Sequence, residues 1–401
     1  MPDLSRASGT TGVTRVARVA LVGAHGHGAS HLRRLVDLHT AGTVELVAVV
    51  DPQGPGDQEH TPSGTRWFAA LDDLLDGSPD GGTLDGLGTH RPDVVVLCTP
   101  IPTHVPLATA ALRAGCDVLL EKPPTPSLAE HEVLVQVVAE TGRRCQVGFQ
   151  TFGSTALDAV ARIVADGEIG DVVRIGAVGT WVRTAGYWAR APWAGRRRMG
   201  GRDVVDGVVT NPLAHAVATA LRVAGVTRAQ DVASVEVDLY RANPIEADDT
   251  SSVRVVAHDG TQVACGLTLC AEERTPARVV VHGTLGTVTL GYETDVVHVD
   301  GTRGRRTEQH TRIDLLADLL AARQDPDAGL LCDLRDTGAF TRVLEAVRTA
   351  PGPTPITAEH VTWVGEDDER RPVVHDVAAW CEEVSRTGRT FRDLGAPWAA
   401  R

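Results

Sequence analysis

The 401-residue chain is short of basic residues, aromatics and long apolar runs, and each shortage narrows what it can be. Lysine and arginine total 39 against 52 aspartates and glutamates, a formal charge of -13. Nucleic acid and anionic membranes are bound through clustered cations, so neither is expected as the main partner, and a small molecule is. No apolar run approaches the roughly 20 residues that span a bilayer. Residues 1–14 form a polar leader without a charged-then-apolar secretory pattern, so a cytoplasmic protein is expected. The seven cysteines, Cys98, Cys116, Cys145, Cys265, Cys270, Cys332 and Cys381, are scattered and mostly embedded in apolar runs, which suits buried small hydrophobes. Cys265 and Cys270 stand close together, but no second Cys/His pair accompanies them, and no metal is expected.

What is present divides in two, as the length alone suggests. Over residues 15–149, apolar strand-like runs (16–22, 44–50, 94–98, 118–120, 145–149) alternate with helical patterns (29–39, 71–75, 103–114, 128–140). Such alternation implies an α/β domain with a doubly wound parallel sheet covered on both faces. A Gly/Asp-rich stretch at 76–92 reads as a surface loop. From 150 to 350 the pattern changes. A helix at 155–166, a strand at 172–181 and a helix at 212–224 precede six β-type runs: 232–240, 252–257, 263–269, 277–282, 287–290 and 296–299. With no helices between them, these runs imply a second, α+β domain with a large, mostly antiparallel open sheet. Helical patterns return at 313–322 and 336–349. A carboxyl-terminal extension, 351–401, carries one more at 374–385 and is expected to pack on the second domain.

Gly23-Ala24-His25-Gly26-His27-Gly28 follows the first strand and opens the first helix, where a dinucleotide fingerprint belongs. Glycines there let the backbone turn tightly and bring its N–H groups to a pyrophosphate at a helix amino terminus. His25 occupies the place of the usual middle glycine. Asp51, closing the second strand, suits the ribose hydroxyls of the adenosine and would repel a 2'-phosphate, so NAD is favoured over NADP, although the same residue would also open a turn before Pro52. Two later strands end in Thr99-Pro100-Ile101-Pro102-Thr103-His104 and in Glu121-Lys122-Pro123, on the rim where open α/β sheets bind ligands. A lysine there can hold a reacting oxygen and exchange a proton if burial lowers its pKa; it can equally be a surface lysine paired with Glu121.

The order of fingerprint, Thr-Pro-x-x-x-His and Glu-Lys-Pro resembles the Gfo/Idh/MocA family, and the run from Cys98 through Pro123 is similar nearly position by position. The resemblance extends from about 16 to 349, more loosely in the second half. It implies a Rossmann cofactor domain, a second domain whose open sheet mediates a homodimer or homotetramer, and a catalytic or substrate-orienting Lys122. Family members commonly carry Asp-x-x-x-His at the start of a second-domain helix, which corresponds here to Asn211-Pro212-Leu213-Ala214-His215. Asn211 lacks the usual charge, for which Asp203 or Asp206 could compensate, and it also suits a helix N-cap with Pro212 at the first helical position.

Between these motifs, Trp181, Arg183, Tyr187, Trp188, Arg190, Trp193 and Arg196 to Arg198 concentrate indoles and guanidiniums in a chain with few aromatics. Indoles stack on sugar rings and guanidiniums bind hydroxyls or carboxylates, so Trp188, Arg190, Trp193, Arg198, Asp206, Asn211 and His215 are the expected substrate residues. A packing loop or an oligomer contact would use the same residues. The expected cofactor residues are Gly23, His25, Gly26, His27, Gly28, Asp51, Thr99, Pro100, His104, Glu121 and Lys122. Together they imply an NAD-dependent oxidoreductase acting on a secondary alcohol of a sugar, sugar acid, inositol or glycoside, with Lys122, His215 and Asn211 catalytic. An NAD-dependent lyase or glycosidase with transient oxidation, or a sensor of the same fold, would carry the same motifs.

Overall fold

The computed structural model describes residues 15–56, 61–76, 91–325 and 327–399. The polar leader and most of the Gly/Asp-rich loop lie outside them. Within the described residues the chain divides into two compact units after Cys98.

The first unit holds β1 (Ala17–Val22), α1 (Gly28–Thr40), β2 (Val44–Val50), β3 (Arg66–Phe68), α2 (Leu71–Leu75) and β4 (Val94–Leu97). The second opens with α3 (His104–Arg113), β5 (Asp117–Leu120), α4 (Leu128–Thr141) and β6 (Cys145–Val147). The six strands form one sheet in the order β3-β2-β1-β4-β5-β6, and the pairings of β1 with β2 and β4, β2 with β3, and β5 with β6 are parallel. All four residues of β4 and of β5 are buried, as in strands covered on both faces; they are apolar except for Asp117, which pairs with Arg323. Helix α4 shows how local chemistry sets its ends. The Ser127 hydroxyl caps the helix by accepting from the Glu130 backbone N–H (3.3 Å), it also donates to the Glu130 carboxylate (3.2 Å), and Gly142 at φ +62° terminates the last turn.

The second unit continues with α5 (Ala156–Ala165), β7 (Val172–Thr180), α6 (Ala185–Ala189), the hairpin β8 (Arg198–Met199) and β9 (Arg202–Asp203), and α7 (Ala214–Val223). Then come β10 (Val232–Arg241), β11 (Thr250–Ala257), β12 (Gln262–Thr268), β13 (Arg278–Gly283), β14 (Thr287–Gly291), β15 (Val296–Gly301) and β16 (Gly304–Gln309). The chain closes with α8 (Leu315–Ala322), α9 (Gly338–Thr349), β17 (Thr354–Pro355), β18 (Val361–Val364), β19 (Arg371–Val374), α10 (Val377–Thr387) and α11 (Phe391–Leu394). A nine-stranded sheet runs β16-β15-β14-β13-β7-β12-β11-β10-β17, antiparallel except where β7 meets β12 and β10 meets β17.

Both faces of that sheet are covered at its centre. On one, a side chain at Gly179 would meet Leu213 just ahead of α7, at 2.5 Å. On the other, α10 lies so close that a side chain at Gly176 would run into Ser385, and one at Gly266 would fall 2.5 Å from the Cys381 backbone. Val178 and Ala264 share this second face with Cys381, Val384, Phe391 and Trp398 in one buried apolar cluster. The extension thus packs on the middle of one face of the second-domain sheet.

Helix α7 begins two residues later than expected. Its N-cap position is Leu213, whose side chain makes no cap, and Asn211 and Pro212 sit in the turn before it. Asn211 is thus no helix cap, because its amide is engaged elsewhere.

Candidate active site

In the first unit the glycine-rich turn is held to one conformation. Gly23 (φ +87°) and Gly26 (φ +58°) take the left-handed positions, and a side chain on Gly28 would collide with the Gly23 carbonyl. His25 falls on neither left-handed position, so the turn tolerates it in place of the middle glycine. His27 immediately precedes α1 and makes no side-chain cap. Buried Asp51 ties the turn to the end of β2: its carboxylate accepts from Ala24 N–H (2.8 Å) and Gln53 N–H (2.9 Å), and His25 Nδ1 lies 2.9 Å away. Burial works to raise the Asp51 pKa, but hydrogen bonds from His25, Ala24 and Gln53 outweigh it and hold the group below its ordinary value. A tight turn at a helix amino terminus with an ionised carboxylate beside it fits the diphosphate and ribose of a dinucleotide.

In the second unit the side chains converge on Lys122, directly after β5. Its Nζ donates to Asn211 Oδ1 (2.8 Å) and to the Asn211 carbonyl (3.2 Å), while Asn211 Nδ2 donates to Asp206 Oδ1. Asp206, 3% exposed, also accepts from Gly195 N–H (2.7 Å), with Arg190 at 3.6 Å. Burial lowers the Lys122 pKa; the charges of Glu121 and Asp206 oppose that, and Arg190 adds to it. Asp206 is the compensating carboxylate, reaching the ammonium through the amide. Asp203 is not, since it pairs with Arg198 and Arg348, each at 3.2 Å.

The loop presenting Asp206 is strained. Val205 adopts φ +51°, a region β-branched residues avoid. The Thr210 hydroxyl donates to the Val205 carbonyl, Asp206 N–H bonds the Arg196 carbonyl (2.9 Å), and a side chain at Gly207 would strike Asp248. Asp248 itself is buried beneath the loop, and burial pushes its carboxyl up to about 6.

Other expected residues separate by position. Glu121 is buried and accepts from the Lys122 backbone N–H (3.1 Å), beside Gly148, where any side chain would crowd its carboxylate. Thr99 accepts from the Thr103 hydroxyl (2.8 Å), and Pro100 is exposed. His104 is 1% exposed with Nε2 2.8 Å from the Thr99 carbonyl and Nδ1 3.0 Å from that of Pro123, so it fastens the rim from within instead of lining it. His215, in the first turn of α7, packs edge to face on Phe149 (centroids 5.5 Å apart). Arg198 bonds the Gly201 carbonyl and Asp203 within the β8–β9 hairpin and lines a cavity with Arg197, Glu246 and Arg348, a group that includes neither Lys122 nor Asp206. Trp193 and Trp188 are not bare indole platforms. Arg190 covers Trp193 at 4.7 Å, and Trp188 lies edge to face on Tyr187 at 4.9 Å with its Nε1 buried. Tyr187, absent from the expected set, is the hub, with Arg190 over its ring at 3.6 Å and Arg183 at 4.6 Å.

One signal for Lys122 lies in composition: it is the sole lysine of the chain, every other basic residue counted among the 39 being arginine. Arginine serves for surface charge and ion pairs, but it does not release a proton near neutrality.

A model of the oxidoreductase family with an NAD-binding Rossmann fold matches residues 17–149, and the model of the GFO/IDH/MocA C-terminal domain matches 157–289, together about two thirds of the chain. The chain belongs to the GFO/IDH/MocA oxidoreductase family. Its amino-terminal third is accordingly an NAD-binding Rossmann domain. Among curated GFO/IDH/MocA relatives, an inositol 2-dehydrogenase of Leifsonia xyli is 31% identical over 153 residues, 38% of this chain and 41% of the relative. The scyllo-inositol 2-dehydrogenase (NAD(+)) of Bacillus subtilis is 43% identical over 79 residues, 20% of this chain and 23% of that one. The chain thus spans about two fifths or less of the curated relatives it matches. Of solved structures, the WlbA dehydrogenase of Bordetella pertussis, in complex with NADH and UDP-GlcNAcA, has 22% identity and a TM-score of 0.65, covering 83% of this chain and 95% of that one. The UDP-N-acetylglucosamine 3-dehydrogenase GnnA of Acidithiobacillus ferrooxidans has 17% identity and a TM-score of 0.62, covering 83% and 97%. These structures share the fold. No helix among the described residues is long and apolar enough to cross a membrane.

Proposed function

We propose that this family member oxidises a secondary alcohol of a ring-shaped polyol or sugar with NAD, residues 15–149 serving as cofactor domain, 150–350 as substrate domain and 351–401 as an extension of the latter. The observation that carries the reading is the single lysine, half-buried and aimed through Asn211 at Asp206. An ammonium with a lowered pKa, held by the two neutral oxygens of Asn211, can hydrogen-bond a hydroxyl oxygen and stabilise it as it becomes alkoxide. His215 takes the hydroxyl proton, Lys122 steadies the oxygen, and Asn211 and Asp206 fix the ammonium. Nicotinamide supplies the acceptor for the hydride leaving the same carbon, and the product is the ketone. Asp51 disfavours a 2'-phosphate and selects NAD over NADP. The inositol dehydrogenases among the relatives support the substrate class.

The test is a screen of inositols, sugars, sugar acids and glycosides with NAD and NADP, following nicotinamide absorbance in the parent, Lys122→Met and His215→Ala proteins. NAD reduction by the parent, abolished in both variants while NADH still binds, is the expected result. Full turnover in either variant removes that residue from the mechanism, and turnover with none of the compounds removes the substrate class.

A further inference from the structure

Three side chains of metal-ligand type meet in the first unit, outside the Lys122 cluster. His27 stands immediately before α1, His31 lies one turn along it, and Cys98 follows β4. A ring nitrogen of each histidine and the Cys98 sulfur all lie within 4.8 Å of one another. The spacing of four residues puts both imidazoles on one helix face, where the rings meet edge to face with centroids 5.3 Å apart. The start of α1 lies beside the end of β4: a Cβ added at Gly28 would sit 3.8 Å from the Cys98 Cβ, ordinary contact distance.

We propose that His27, His31 and Cys98 form a binding site for one zinc-class divalent ion, with the fourth position left to water or an external ligand. Two imidazole nitrogens and one thiolate are the donors that zinc and its neighbours take, whereas calcium and magnesium require oxygen. Bond lengths of about 2.0–2.1 Å to nitrogen and 2.3 Å to sulfur place tetrahedral donors about 3.3–3.6 Å apart. Binding must draw the three donors, now within 4.8 Å of one another, to these separations, and His27 is the exposed member of the three. The positive end of α1 opposes a cation at this spot, and the Cys98 thiolate offsets it. Cys98 is also the accessible thiol: the other six cysteines are buried. The site was invisible to a reading of cysteine pairs, because its ligands come from a helix start and a strand end some seventy residues apart.

The test uses the metal-free full-length protein titrated with Co(II), then displaced by Zn(II). One equivalent of cobalt should bind with a thiolate-to-metal charge-transfer absorption. That band should vanish in Cys98→Ser, and His27→Ala and His31→Gln should each weaken binding at least tenfold, in proteins whose thermal unfolding matches the parent's. No stoichiometric uptake by the parent, or an undiminished band in Cys98→Ser, overturns the proposal. Since His27 is exposed, His27→Ala remains informative even if the Cys98 variant folds poorly; unchanged affinity in it also overturns the site.

Discussion

The ammonium of Lys122 and the side-chain oxygen of Asn211 are 2.8 Å apart, and the other end of the same amide donates to Asp206. A neutral amide thus stands in direct contact with the ammonium, and the carboxylate lies one step behind it. Distance weakens its pull on the lysine proton, so burial prevails and the Lys122 pKa lies below its ordinary value.

That arrangement sets the direction of two pH shifts. A full charge in direct contact favours the ammonium, so Asn211→Asp should raise the Lys122 pKa and move the falling, high-pH limb of kcat/KM for oxidation to higher pH, by about one pH unit or more. Asp206→Asn removes an opposing charge and should move the same limb to lower pH. Limbs that stay in place in both variants would disconnect the lysine from the pH dependence.

Replacing the single lysine by arginine separates charge from proton exchange. Lys122→Arg keeps a cation but neither fits the compact site nor releases its proton, since its pKa stays above about 12. A loss of roughly a hundredfold or more in kcat is expected, with NADH affinity within a fewfold of the parent's. Single-turnover and fluorescence-binding measurements distinguish this from a cofactor defect; activity near the parent's would show that charge alone suffices.

The parallel sheet was legible because its buried strands are predominantly apolar runs that alternate with helical patterns, one of which, α4, begins with the strong local signal of Ser127. Helix α7 was misread for the opposite reason. Asn211-Pro212 has the residue types of a helix start, but Lys122 and Asp206 draw the asparagine amide into a tertiary contact that local propensity does not register. Strand β16, Gly-Arg-Arg-Thr-Glu-Gln, lies at the sheet edge with one neighbour and carries no apolar alternation to announce it. The stacked Tyr187 and Arg190 show a further limit: composition pointed to the loop, yet guanidiniums that cover its rings are seen only once it is folded.

His104 should report on stability more than on catalysis. Both ring nitrogens face carbonyl oxygens, and burial lowers the pKa despite the opposing hydrogen bonds and the Glu121 charge. The unfolded chain therefore binds a proton more readily than the native one. This stabilisation is complete above the unfolded histidine value near 6.5 and declines as pH falls through it toward the native value. His104→Ala removes the single N–H that a neutral imidazole donates to these carbonyls and should cost about 1–3 kcal/mol in urea unfolding at neutral pH. It should also flatten part of the loss of stability below about pH 6.5, the remainder belonging to groups such as His131, whose pKa burial lowers as well. A variant as stable as the parent at pH 7, with an unchanged acid slope, would contradict the role assigned here.

The contact between Gly266 and Cys381 decides how closely α10 seats on the sheet. A methyl group at 266 would lie 2.5 Å from both the α-carbon and the carbonyl oxygen of Cys381, which are backbone atoms and cannot swing aside. Gly266→Ala must therefore lift α10 from β12, and overpacking of this kind costs about 1–3 kcal/mol. Gly329, where an added methyl would meet nothing within 4 Å, is the matched control, and Gly329→Ala should unfold like the parent. Lifting the helix also uncovers Val178 and Ala264, so limited proteolysis should release the extension from Gly266→Ala faster than from the control. Equal digestion rates and equal unfolding midpoints for the two variants would mean that the extension adjusts its seat freely and does not seal the centre of the sheet.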